Sequence, residues 1–202
     1  MIAIFIEPKN NLRKFIYKWK SIIKKNYFDT KLTSHPPHST IYFANLKKEK
    51  KIFEELEKIT SNFRPFKIKV FKTNIFYNDK FTNGDTIYLN IKKNKQLYSL
   101  QLKIAEKLKY FLKTNIKMQN MKLLKDLKLK LSQKKYGFPF VGSHWQPHFT
   151  IGSIKNFRTT EDFKKFTKNK IYYENEINCI SVWKVLGEKH IRLKIFKFGK
   201  KK

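Results

Sequence analysis

The phrase Pro-His-x-Thr-Ile occurs twice, as Pro37-His38-Ser39-Thr40-Ile41 and as Pro147-His148-Phe149-Thr150-Ile151, and no other feature restricts the fold so tightly. In an extended strand successive side chains alternate between faces, so His38 and Thr40 share one face while Ser39 and Ile41 take the other. His148 and Thr150 repeat the arrangement, with Phe149 and Ile151 turned toward the interior. Each phrase predicts a strand that carries an imidazole and a hydroxyl side by side. Two such strands facing each other make a symmetric two-histidine site.

The surroundings of the phrases repeat as well. A strand at 2–6 precedes a helix at 10–27, where Leu12, Phe15, Ile16, Trp19, Ile22 and Ile23 recur at spacings of three and four and the lysines take the outer face. The motif strand at 38–43, a helix at about 48–59 and a strand at 66–71 follow. After the turn Asn83-Gly84-Asp85 the series restarts, with a strand at 86–91, a helix at 96–113, the second motif strand at 148–153 and a helix opened by the hydroxyls and acids of 159–162. Strands at 177–185 and 190–198 close the chain around Leu186-Gly187-Glu188. The spacing predicts one domain over 1–202, built from duplicated units at about 1–85 and 86–202.

The second unit carries an insertion at about 114–143, in which Leu123, Leu124, Leu127, Leu129 and Leu131 lie among lysines and read as a helix. Behind it, Tyr136-Gly137-Phe138-Pro139-Phe140-Val141-Gly142 is an aromatic, glycine-hinged loop. It reads as a lid or base-stacking wall, or equally as an apolar loop folded onto the core.

The formal net charge is +31, with only 15 acidic residues. All but four of the basic residues are lysine, as an AT-rich coding sequence would produce, but such a bias would enrich glutamate too. The excess therefore points to an anionic ligand. Cys179 is the single cysteine, so no internal disulfide or thiolate zinc cluster can form, and a reducing cytoplasmic location is expected. The apolar run 1–6 is cut by Glu7-Pro8-Lys9, too short for a signal core or a membrane span. No membrane association and no obligate protein partner are expected.

Paired histidines suit general acid and base work, because imidazole titrates near neutral pH. Hydroxyls beside them can donate to the nonbridging oxygens of a phosphoryl group as charge develops. With these residues PHSTI and PHFTI resemble the paired His-x-Thr/Ser signatures of the 2H phosphoesterase superfamily, which includes LigT-like RNA 2′-5′ ligases and 2′,3′-cyclic nucleotide phosphodiesterases. The resemblance covers essentially the whole chain. It implies an α+β bilobal fold, with two antiparallel sheets forming a central cleft and helices packed on the outer faces. It also implies metal-independent, cofactor-free phosphodiesterase chemistry on 2′-5′ or 2′,3′-cyclic phosphates of RNA or small cyclic oligonucleotides, with ligation as a reverse face of the same site. His38 and His148 would be acid and base, and Thr40 and Thr150 phosphate ligands.

Further candidates follow from position. Tyr42 shares a face with His38 and Thr40 by simple alternation, and either floors the pocket or packs. Trp145 stacks on a base or packs, and Tyr136 and Phe138 belong to the aromatic loop. Lys184 and Arg192 on the closing hairpin are candidate phosphate contacts. His35 and His144 read as loop histidines or as lining of the cleft mouth, and His190 reads as unrelated to catalysis. A metal site is not expected, since carboxylates are absent around both motifs. A different class of reading keeps the fold but makes the chain a non-catalytic basic RNA-binding module.

Overall fold

The computed structural model describes residues 1–113, 124 and 126–199. The chain runs β1 (Ile2–Ile6), α1 (Asn10–Asn26), β2 (Thr30–Lys31), β3 (Ser39–Ala44), α2 (Glu49–Ser61), β4 (Phe66–Asp79), β5 (Gly84–Ile91), α3 (Lys95–Leu108), α4 (Leu127–Tyr136), β6 (His148–Ile154), α5 (Glu161–Lys168), β7 (Tyr173–Ile177), β8 (Cys179–Leu186) and β9 (Lys189–Lys197). The strands form two sheets, ordered β3-β1-β8-β9 and β2-β6-β5-β4-β7. All pairings are antiparallel, so the architecture is α+β with two antiparallel sheets and helices outside them.

Several local choices follow from residue chemistry. Asn94 opens α3 by accepting from the Leu97 N–H at 3.0 Å, and Thr160 opens α5 by accepting from Phe163 N–H at 3.1 Å, with Glu161 and Asp162 in the positive first turn. Gly137 ends α4 in the left-handed region at φ 67°, where its N–H reaches the Gln133 carbonyl at 2.8 Å. The apolar faces of both sheets and of α1, α2 and α3 join in one core.

The sheets exchange strands. β4 follows β3 in the chain but pairs with β5, and β8 follows β7 but pairs with β1. The single strand expected at 177–185 is therefore two strands broken at Asn178, where the chain leaves one sheet edge and enters the middle of the other. β4 extends to Asp79 rather than stopping near residue 71, α3 gives way to a 3-10 turn at Lys109–Phe111, and β2 is a short addition without a sequence signal. Of the insertion, residues 114–123 and 125 lie outside the described residues, and the helix begins at Leu127. Among the described residues no helix is long and apolar enough to cross a membrane.

Candidate active site

The two phrases fold alike down to a local irregularity. In the β1–β3 ladder Ile4 faces Tyr42 and Phe5 faces Thr40, so Ile41 is an extra residue. In the β5–β6 ladder Ile87 faces Gly152 and Tyr88 faces Thr150, so Ile151 is the extra one. Each motif strand thus carries a bulge at the final isoleucine of its phrase. The bulge keeps His and Thr on one face, drives the isoleucine into the core, and shifts every residue beyond it to the opposite face. Ile41 and Tyr42 are both fully buried as a result. Tyr42 is therefore core and not pocket floor, a correction to the expectation from alternation. Its hydroxyl donates to the Tyr136 carbonyl, and burial pushes the phenol well above its ordinary range, so it stays neutral.

The histidines are anchored identically. His38 Nδ1 lies 2.6 Å from the Pro36 carbonyl and His148 Nδ1 lies 2.7 Å from the Gln146 carbonyl, in each case the residue two before it. A carbonyl only accepts, so Nδ1 carries the hydrogen and Nε2 keeps its lone pair. Aromatic rings fix both imidazoles. Phe5 stacks on His38 at 3.7 Å, and Tyr88 and Phe76 meet His148 edge-on at 5.0 and 5.3 Å. Phe5 and Tyr88 hold matching ladder positions, each opposite the motif threonine. Burial is the main influence on both imidazoles and holds them below the ordinary histidine range, against the pull of the Pro36 and Gln146 carbonyls. Their remaining neighbours differ in sign: Lys20, His190 and His35 surround His38, whereas Asp79 is the charge felt by His148.

The motif strands are also sheet edges that approach each other. β3 is the outermost strand of its sheet, and β2 covers only Ser153 and Ile154 of β6. Side-chain donors occupy the seam. The buried Trp145 indole donates from Nε1 to the Thr40 carbonyl at 3.0 Å, and Lys20 Nζ donates to the Ile151 carbonyl at 2.9 Å and to the Leu32 carbonyl at 2.7 Å. The expectation that the α1 lysines all face solvent fails at Lys20, which is only 4% exposed, and burial lowers its ammonium to about 7.

The other candidates separate by face. Trp145 is buried and packs on Tyr98, so it binds protein, as do Tyr136 and Phe138, which sit in the core. The aromatic loop is thus folded onto the core and is not a lid. Lys184 pairs with Ile2, whose face is the core side, and projects away from His38. Arg192 is brought in: it pairs with Trp183, lies over that ring at 5.5 Å and reaches Glu7 at 3.7 Å. His144 ends a 3-10 turn and is half-buried there.

His190, expected to be unrelated to catalysis, lies close to the first motif. Its ring lies 6.0 Å from that of His38 and 4.2 Å from that of His35, whose Nε2 is 3.2 Å from the Glu188 carboxylate. Three of the five histidines therefore gather at one motif. The closing hairpin holds the signal for this, since His190 and Arg192 alternate onto one face. Trp183, packed with Ala3 and Phe5 on that face, has no signal without the β1–β8 register. Among the described residues no group of three or more His, Cys, Asp or Glu side chains is placed to hold a metal ion.

Solved structures share this architecture. The Thermus thermophilus protein TT0787 aligns with a TM-score of 0.63 at 11% identity, over 100% of this chain and 99% of its own. E. coli LigT aligns with a TM-score of 0.55 at 10% identity in its apo form, over 98% of this chain and 96% of its own. The E. coli LigT complex with 3′-AMP gives a TM-score of 0.57 at 11% identity, over 98% and 97%. A search of curated proteins returned no significant match. The sequence itself matches the 2′-5′ RNA ligase superfamily across residues 8–184, and the chain belongs to that family.

Proposed function

We propose that this chain is a metal-independent phosphodiesterase that opens 2′,3′-cyclic phosphates or cleaves 2′-5′ phosphodiesters of RNA or oligonucleotides. The carrying observation is the matched anchoring of two imidazoles, each with Nδ1 tied to the carbonyl two residues before it and Nε2 left for the substrate. Membership of the 2′-5′ RNA ligase superfamily and the binding of 3′-AMP by LigT support a nucleotide ligand.

The charges around the two rings support one assignment of roles. Lys20 near His38 disfavours its protonation, while Asp79 favours that of His148, so His38 is taken as the base and His148 as the acid in the hydrolytic direction. His38 Nε2 takes a proton from water as the water oxygen bonds to phosphorus. The bond from phosphorus to the departing ribose oxygen breaks, and His148 Nε2–H supplies that oxygen with its proton. Thr40 and Thr150 donate to the nonbridging oxygens. The anionic phosphodiester itself raises the proton affinity of the nearby imidazole, which gives the acid its proton. Lysines over the surface draw the polyanion in.

A screen of the purified protein against 2′,3′-cyclic nucleotides and 2′-5′- and 3′-5′-linked oligonucleotides tests this. Turnover of the first two classes is expected. Tight, steeply salt-dependent RNA binding with every diester left intact would instead establish the non-catalytic binding module.

A further inference from the structure

The face that carries His38 continues beyond Phe5 into a cavity of about 200 Å³, where β1 ends, α1 begins and the chain crosses from β7 to β8. Ser181 lines it and is the ladder partner of Phe5, the ring on which His38 stacks. The cavity therefore begins one ladder pair and one stacked ring away from the proposed base. Its size is below the roughly 300–1,000 Å³ of sites that enclose a drug-sized ligand, which suits a single ring system.

The lining has two distinctive properties. First, carboxylates stand in it: Glu7 and Glu176 line it beside Lys9 and Arg13, in a chain whose net charge is +31. A phosphate dianion would be repelled by two carboxylates in its lining, which suit an uncharged group better. Second, its polar atoms are oriented. Asn178 accepts from Lys9 Nζ through Oδ1 at 2.8 Å, which directs its NH₂ elsewhere, and the Glu7 carboxylate is held by Arg192 at 3.7 Å. A fixed donor and a fixed acceptor beside the apolar walls of Pro8, Ile177 and Ile195 complement the edge and faces of a nucleobase.

We propose that this cavity is the base subsite, receiving the uncharged heterocycle of a nucleotide whose phosphate lies between His38 and His148. The proposal rests on the phosphodiesterase reading above. It has a built-in reporter, because Cys179, the chain's single cysteine, lines the cavity and is half-buried. Burial raises its thiol above the usual range, so alkylation is best followed at about pH 9, where more thiolate is present.

The test measures iodoacetamide alkylation of Cys179 in the native protein by mass spectrometry, alone, with a nucleoside 2′-monophosphate, or with ribose 2-phosphate. The nucleotide is expected to slow the reaction about tenfold, the scale of one base packed in a site, and the base-free phosphate to leave it unchanged. The alkylated protein should show KM for a 2′,3′-cyclic nucleotide raised about tenfold, with turnover of base-free ribose 2,3-cyclic phosphate unaltered. A bound nucleotide that gives no protection, or alkylation that affects both substrates equally, overturns the subsite. Absence of all turnover refutes the catalytic reading instead, and the protection arm then decides the subsite alone.

Discussion

Replacing Trp145 with Phe isolates the bond that ties the second motif to the first. The indole Nε1 donates to the Thr40 carbonyl at 3.0 Å across 105 residues, from a side chain 4% exposed. Phenylalanine keeps an aromatic ring against Tyr98, 5.3 Å away, but strands the carbonyl. An unsatisfied buried acceptor costs about 1–3 kcal/mol, and the lost ring volume adds to that. In a protein of this size each kcal/mol corresponds to about 2–4 °C in melting temperature, so a fall of roughly 2–12 °C is expected. Thr40 is also a proposed phosphate ligand, and a displacement of about 1 Å can cost on the order of 10²-fold in rate. We expect kcat to drop about 10- to 100-fold with little change in KM. Trp19→Phe is the control: Trp19 is a core residue packed edge-on against Phe166 at 5.1 Å, so its loss should lower melting without lowering kcat. Equal kcat in Trp145→Phe and wild type, at a lowered melting temperature, would refute a positioning role.

Three other outcomes follow from the same geometry. If His148 is the acid, His148→Ala should lose about 10²- to 10⁴-fold on a ribose leaving group but recover much of that loss on a nitrophenyl ester, whereas His38→Ala should recover little; the reverse pattern would exchange the roles. His38 and His148 bind protons less readily folded than unfolded, so stability should fall as pH drops below the unfolded value of about 6.5, and denaturant midpoints that stay level from about pH 7 to about pH 5 would contradict this. Lys20, lowered to about 7, should add stability as pH rises from about 7 toward its unfolded value near 10.4, an increment that denaturation of Lys20→Met should lack.

Much of the fold is legible in the sequence because it rests on periodicity. The apolar spacing in α1, the Thr160 cap and the paired motif strands are local, and local chemistry decides them. What escapes sequence reasoning depends on distant partners. Alternation within one strand assigns Tyr42 to the cleft, whereas the bulge at Ile41 exists only in the register with β1. Lys20 reads as surface because its acceptors, Leu32 and Ile151, are 12 and 131 residues away. The break at Asn178 reflects a change of sheet that no turn residue announces. His190 and Trp183 reach the site through the β1–β8–β9 ladders, which bring the last strands beside the first. The phrases themselves carry more than their histidines and threonines, since the repeated isoleucine marks the repeated bulge.

The most direct measurement is turnover of a 2′,3′-cyclic nucleotide by the wild-type protein and by the His38→Ala, His148→Ala double variant, each with and without EDTA. The account predicts wild-type turnover indifferent to the chelator and abolished in the double variant. Loss of wild-type activity in EDTA, or its survival without both imidazoles, would contradict it.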